Sequence, residues 1–427
     1  MNRRNFLKTI GAVGLAASLP WASGRAQAAS SMHTGKVLLT LHTGGGWDHS
    51  SFSDPRNNPL INRWANTRTA GEAGNLLYAP MAENAAFFNK YYSYMLVING
   101  IDIQTNGHDA AARNRNTGNL VEGFPSLNEL YAAVAAPNVP MPFVRNGGFD
   151  ESVGLMPFTL LPDETLLRTL SNPNFYDSTR SYYADSHMGI LKRFQEERLQ
   201  AQMGQQNNTP RWQAKLAELQ RAHAGSGDVN TLGSVLPATL DSKDLAGQSR
   251  GGIRELHMFL TLAAAGMTAT SSFGTGGFDT HGNHDANHAN ALVNTTRLLD
   301  YLWTKAESMG IADRLIVHVT SDVGRTPEYN AGNGKDHWSL GSDIVMMKNA
   351  PWANRIAGIS GPVHEKRAIN PDTLQLSETG VQLQPRHVQS ELRKLLGIDS
   401  HALAQRYDLK AEPMALFNPA VSSGITV

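Results

Sequence analysis

The sequence predicts an α/β protein built on a central, mostly parallel sheet layered by helices. Three observations predict it. Short apolar runs alternate with helix-like stretches along the chain. Several of those runs end in Gly or Ser and at once deliver an acidic residue. No internal repeat and no Pro/Gly/Ser-rich linker divides the chain, although 427 residues would allow two or three domains.

The first strand is expected at 36–42 (KVLLTLH), breaking into Thr43-Gly44-Gly45-Gly46-Trp47-Asp48. A second run, 94–99 (YMLVIN), precedes a helix around Ala110-Ala111-Ala112. Residues 189–224 read as two polar helices around a turn at 205–210, and 225–251 as a Gly/Ser/Asp-rich surface loop. This stretch, 189–251, is treated as an insertion in one domain spanning 29–427. A mostly apolar helix follows at 253–265, then a strand at 268–273 ending in Gly274-Thr275-Gly276-Gly277-Phe278-Asp279-Thr280-His281. The helix 286–309 carries Leu292, Leu298, Leu299 and Leu302 as its stripe. Strands are expected at 314–320, followed directly by Ser321-Asp322-Val323-Gly324-Arg325, and at 343–347. A short helix at 386–396 closes the pattern.

The N-terminus is an address. Arg3-Arg4 precede Phe6-Leu7-Lys8, a mildly apolar run covers Thr9 to Leu19, and Ala26-Gln27-Ala28 forms a small-residue cleavage pattern. A twin arginine in this setting marks the Tat pathway, so residues 1–28 are a signal and the Tat translocase is the export partner. The expected destination is the periplasm or the exterior. The apolar run is about half of the roughly 20 residues that a bilayer span requires, so no stable membrane anchor is expected.

Removing Arg3, Arg4, Lys8 and Arg25 from the 37 basic residues leaves 33 against 37 acidic ones, a formal net of −4. That balance gives no footprint for nucleic acid and no patch for anionic lipid. The sequence holds no cysteine, which removes disulfides, thiolate metal sites and cysteine nucleophiles. Any metal must sit on His, Asp, Glu or backbone oxygen.

Asp48, Asp279 and Asp322 all follow strands, and ligands of open α/β sheets bind outside strand carboxyl ends. Three carboxylates at one edge repel unless a cation lies between them. His281 follows Asp279 by two residues and His337 lies in the loop after Asp322. Carboxylate mixed with imidazole suits zinc first, with iron or manganese possible, and a carboxylate-only subset suits magnesium or calcium. Each element also has a plainer role. A lone Asp after a strand is most often a turn former or helix cap, and Asp322 can pair with Arg325. His284 and His288, at i,i+4, sit in a polar Asn-rich turn and are expected to be solvated.

The set Gly45-Gly46-Trp47-Asp48, His108…Thr117-Gly118, Gly277-Phe278-Asp279-Thr280-His281, Ser321-Asp322-Val323-Gly324-Arg325-Thr326-Pro327 and Asp336-His337 resembles, almost end to end, the DUF1501 family of Tat-exported bacterial proteins. That family in turn is similar to the alkaline phosphatase and sulfatase superfamily. The resemblance implies an alkaline-phosphatase-like three-layer α/β/α sandwich with a divalent-metal site at the strand ends. It further implies metal-ligand roles for Asp48, Asp279, His281, Asp322 and His337. Two departures stand out: Val323 replaces an expected histidine ligand, and Asn106-Gly107-His108-Asp109 offers no hydroxyl where a nucleophile is expected. Thr105 or Thr117 would serve only with a shifted alignment. His108 then stands as a ligand or a replacement nucleophile, and His108, Arg113 or Arg325 as groups that steady a developing anion.

The implied function is an exported metal-dependent hydrolase of phosphate or sulfate esters, acting on a small anionic ester. The alternatives are a non-catalytic binding or assembly protein that keeps the fold, and a metalloenzyme acting on a phosphonate or a polysaccharide substituent.

Overall fold

A computed structural model describes residues 32–149, 151–161, 169, 172, 174–177, 179–213, 215–217, 219–220 and 250–423. The export signal and residues 225–249 of the surface loop expected at 225–251 lie outside these residues, and Arg250 and Gly251 begin a helix instead.

The main sheet has eight strands: β1 (Val37–Thr43), β2 (Met95–Asp102), β3 (Phe143–Asn146), β4 (Phe158–Thr159), β5 (Thr270–Thr275), β6 (Leu315–Ser321), β7 (Leu340–Met347) and β8 (Arg355–Ala357). Their spatial order is β8-β2-β7-β6-β1-β5-β3-β4. All neighbours run parallel except at β7, which is antiparallel to both β2 and β6. The expected mostly parallel sheet is therefore present, with one reversed strand near its middle.

Strand alternation divides the core into two layers. Val37, Leu39 and Leu41 of β1 point to one face, with Val97, Val317 and Val319. There they meet α1 (Asn84–Tyr91), α5 (Arg250–Ala264) and α6 (His284–Met309) through Phe87 and Phe88, Phe259 and Leu260, and Leu299, Leu302 and Trp303. Leu38, Leu96, Ile98, Ile316 and Val345 point to the other face. Helices α3 (Leu127–Ala135) and α7 (Pro385–Leu396) cover that face through Leu127, Leu130, Val388 and Leu392. Both faces of a largely parallel sheet are thus dry, which is why its strands read as continuous apolar runs rather than alternating ones.

The expected elements are found within a few residues. The helix after β2 is α2 (His108–Thr117), and the first of the expected polar helices is α4 (Asp185–Met203). Among the described residues no helix is long and apolar enough to cross a membrane.

This layering places the site. The carboxyl ends of β1, β5 and β6 emerge along one edge because the three strands are parallel neighbours in register. Strand β7, running the other way, receives the chain from that same edge, so the loop before it lies there too. His337 and Arg325 face each other across a two-residue antiparallel ribbon in that loop.

Phe259 is fully buried between α5 and the sheet, whereas Leu60 is 76% exposed. Phe259→Ala should lower unfolding free energy by about 3–5 kcal/mol, and Leu60→Ala by no more than about 0.5 kcal/mol. Denaturant midpoints of the two variants at constant m-value check this.

Candidate metal centre

Four loops converge at the strand-end edge. Gly45 and Gly46 follow β1 with φ of +103° and +80°. A Cβ on Gly45 would lie 2.5 Å from the backbone nitrogen of Asp279, and one on Gly46 would lie 2.6 Å from Val323 Cγ2. The turn therefore needs glycine twice, for a left-handed backbone and for close approach. Trp47 is fully buried beyond it, its backbone N–H on Ser321 Oγ and its Nε1–H on Ser342 O.

Arg325, just beyond β6, is 1% exposed. Its Nε donates to Gly46 O at 3.0 Å and its Nη1 to Lys335 O at 2.9 Å. Its Nη2 reaches both Gly45 O and the Asp279 carboxylate. With all three of its nitrogens bonded to the protein and its side chain buried, Arg325 ties these loops together.

Asp279 is the focus of three imidazoles. Its Oδ1 lies 3.0 Å from His281 Nε2, 3.3 Å from His337 Nε2 and 3.7 Å from His108 Nε2. The opposite nitrogen of each ring is held by an acceptor: His281 Nδ1 by Asp336 at 2.7 Å, His337 Nδ1 by Asn106 O at 2.8 Å, and His108 Nδ1 by Asp322 at 2.7 Å. Backbone carbonyls and ionised carboxylates only accept, so each Nδ1 carries a proton, and a ring in its neutral form turns a bare Nε2 lone pair toward Asp279. His281 Nε2 and His337 Nε2 stand 3.0 Å apart. With both rings neutral, neither donates to the other, and two lone pairs with a carboxylate at that spacing suit a cation. The separations bracket the roughly 3.3 Å expected between ligands around a four-coordinate zinc.

The charge agrees. Burial pushes the Asp279 carboxyl up, but the hydrogen bond and charge of Arg325, with His337 and His281, outweigh it and hold the group at about 2. Hydrogen bonds from His281 and Asn330 hold Asp336 below its ordinary value. Burial would raise Asp322, yet His42, the Gly45 N–H and His108 together bring it below. Three carboxylates against Arg325 leave a formal −2, which one divalent ion neutralises.

Asp322 and Asp48 are placed differently from the sequence reading. Asp322 spends Oδ2 on His108 Nδ1 and the Gly45 N–H, and Oδ1 on the Val323 N–H. It orients an imidazole instead of offering an oxygen to the centre. Asp48 is fully buried in a network of its own. Its Oδ2 takes Lys335 Nζ at 2.7 Å, Ser51 Oγ at 2.9 Å and His284 Nε2 at 3.0 Å, and its Oδ1 takes the Ser50 N–H and Oγ. Burial alone would raise the Asp48 pKa; Lys335 and His284 hold it far below the carboxylate range. An ammonium thus fills the position that the resemblance assigns to a metal.

His284 and His288 were expected in solvent and are fully buried. His284 bonds Asp48 and Thr280, and His288 Nε2 accepts the Asp48 N–H at 3.1 Å. The signal was present: with Leu292 they continue one helical stripe at i,i+4,i+8, the face that α6 turns to the core. Asp336 and Asn106, which set two of the three imidazoles, stand in motifs quoted from the sequence but were given no role there.

Two His/Asp groups able to hold an ion lie among the described residues: His108, Asp279 and His337 at the strand-end edge, and His49, Asp54 and His364, all buried. Asp54 is already neutralised by Arg56 at 2.8 Å. Burial lowers the pKa of both imidazoles, so the pair is neutral. A divalent ion there would leave two uncompensated charges in the interior, so charge separates the two groups.

The comparisons with known proteins fit this picture at the level of family and fold. The family described as "Protein of unknown function (DUF1501)" matches residues 173–348, a span that contains Asp279, His281, Asp322 and His337 but not Asp48 or His108. The twin-arginine signal matches residues 1–20, so the chain carries a Tat address for the periplasm or exterior. No curated protein matches the sequence. Among solved structures, a sulfatase from Pseudoalteromonas sp. is 9% identical, with 84% of this chain and 68% of that one covered and a TM-score of 0.36. The lipoteichoic acid synthase LtaP of Listeria monocytogenes is 8% identical over 98% and 82%, with a TM-score of 0.34. The TAB5 alkaline phosphatase is 9% identical over 74% and 91%, with a TM-score of 0.32. At these identities the likeness is one of fold.

Two outcomes follow from the geometry. Lys335→Met leaves Asp48 charged and buried without its partner and should cost about 3–5 kcal/mol of stability, most of it recovered in the Asp48→Asn, Lys335→Met double variant; chemical denaturation measures both. Because the folded Asp279 pKa is depressed to about 2, its stabilising contribution is complete above the ordinary 3.8 and is lost as pH falls through 2. In metal-free protein, carboxyl NMR should show Asp279 titrating near 2, and nearer 3.8 in Arg325→Gln.

Proposed function

We propose that the chain is an exported metal-dependent hydrolase of phosphate or sulfate esters. One observation carries the reading: the Nε2 atoms of His281 and His337, 3.0 Å from one another, converge on the Asp279 carboxylate at 3.0 and 3.3 Å. Asp279, His281 and His337 are the residues that would hold a divalent ion, zinc by the donor chemistry, with manganese the nearest alternative. Three protein ligands leave the open position characteristic of catalytic sites. The ion supplies Lewis-acid polarisation of an ester oxygen.

The chain's own residues account for the remaining steps. His108 begins α2 at the edge of the cluster, its Nδ1–H fixed by buried Asp322. Its Nε2 is therefore basic and stationary, suited to take a proton from an attacking water, while Asp322 stabilises the imidazolium that results. No side-chain hydroxyl replaces water in this scheme. Thr117 lies at the far end of α2, its hydroxyl donating to Arg113 O, and Thr105 Oγ1 closes the turn onto the Gly107 N–H. A single displacement by water fits this arrangement better than a covalent seryl or threonyl intermediate. Folded export suits such a protein, because the ion can be loaded in the cytoplasm before translocation.

A second reading, a non-catalytic binding protein with the same ion, is favoured by Val323 and by the missing hydroxyl at the start of α2.

Elemental analysis of the exported chain should find one divalent ion per molecule. Asp279→Ala with His281→Ala should abolish it. His108→Ala should keep the ion while turnover of aryl phosphate or sulfate esters falls by about 10²–10⁴-fold. A metal-free wild-type protein overturns the reading; bound metal without turnover of any ester in a broad panel favours the binding protein.

A further inference from the structure

Beside the His/Asp cluster lies an open cavity of about 490 Å³ that the hydrolytic scheme leaves unused. Asp336 joins the two: it lines the cavity, and its Oδ1 is 2.7 Å from His281 Nδ1. A molecule in the cavity therefore sits one side chain away from the cluster.

The lining is specific in chemistry. Trp338, Tyr329 and Val363 supply apolar surface, and Glu328, Glu365 and Asp336 supply carboxylates. None of the lining residues is Lys or Arg. The indole of Trp338 is fixed in plane, because its Nε1–H donates to the buried His364 carbonyl at 2.9 Å. The Tyr329 ring is less available, with Arg63 at 4.1 Å and Lys335 at 5.1 Å from its centroid. Glu365 is paired with Arg367 at 2.6 Å, while Glu328 is exposed and its carboxylate finds no partner among the described residues.

Glu328 carries its charge without an opposing cation, and no Lys or Arg lines the cavity, so phosphate and sulfate are disfavoured here and the scissile group is placed at the cluster instead. Carboxylates accept hydrogen bonds from hydroxyl groups, and a rigid aromatic face packs against the C–H face of a ring. The volume falls within the range of small-ligand sites. We infer that this cavity is a sugar subsite: an uncharged or amine-bearing sugar ring lies on Trp338 with its hydroxyls donating to Glu328 and Asp336, while the ester substituent reaches the His/Asp cluster. The substrate is then an esterified carbohydrate, entering with its non-anionic portion toward Trp338. This rests on the hydrolase reading for the direction of the ester but not for the subsite itself.

Calorimetric titration of the exported chain tests it, using tetrasaccharides of glucose, N-acetylglucosamine and glucosamine, a fully sulfated tetrasaccharide, and a nucleoside monophosphate. At least one uncharged or amine-bearing tetrasaccharide should bind saturably, with at least tenfold weaker binding in Trp338→Ala and in Glu328→Lys. Glu328 is exposed, so its variant reports on the subsite even where Trp338→Ala fails to fold. The fully sulfated sugar and the nucleotide should bind more weakly. Absence of saturable binding by all three non-anionic sugars, indifference to Glu328→Lys, or preference for the sulfated sugar or nucleotide overturns the subsite. The same titration on metal-depleted His281→Ala protein keeps the two readings apart. Sugar binding in a protein that never holds metal defeats the hydrolase alone; metal and turnover without sugar binding defeat the subsite alone.

Discussion

The buried guanidinium of Arg325 is the constraint on which the strand-end edge depends. From its place beyond β6 it reaches the carbonyls of Gly45 and Gly46 after β1, the carboxylate of Asp279 after β5 and the carbonyl of Lys335 before β7. Three loops from separate parts of the chain are thereby held by one rigid planar fork, which a flexible lysine could not replace. The same contact sets the electrostatics, since it keeps Asp279 ionised although partly shielded from water. Arg325 is thus a structural hub whose effect on chemistry is indirect.

Around that hub, two carboxylates after strands take different fates because of what neutralises them. Asp48 meets an internal ammonium, hydroxyls and an imidazole, and its charge is satisfied within the protein. Asp279 meets one guanidinium and the Nε2 atoms of His281 and His337, with Asp322 and Asp336 nearby. A buried or crowded charge must be compensated by something. The chain compensates Asp48 with an ammonium in the interior and Asp279 with Arg325 and imidazoles at a half-exposed edge. Lys335 links the two arrangements: its ammonium belongs to Asp48, its carbonyl to Arg325, and its next two neighbours are Asp336 and His337.

Much of the fold was legible in the sequence because both faces of the sheet are buried. Runs such as 36–42 and 314–320 are long, apolar and punctuated by Gly or Ser, and helices such as 286–309 carry a clear stripe. Asp279, His281 and His337 were also legible, as acid and imidazole delivered just beyond strands. The reversal of β7 was not, since a short apolar run carries no direction. His284 and His288 were misjudged because local polarity outweighed the i,i+4,i+8 continuation into Leu292.

What the sequence by itself determined is the export address, the layered α/β fold, and the residue types that crowd one sheet edge. Those are properties of local pattern and strand order. Tertiary structure alone decided which nitrogen of each imidazole faces inward, that Asp48 is answered by Lys335, and that Asp322 steadies a histidine. Each of those depends on hydrogen bonds between residues far apart in the chain, as from Asp336 to His281 or Asp322 to His108. Spacing along a sequence cannot specify a proton's position on a ring; the acceptor placed beside it does.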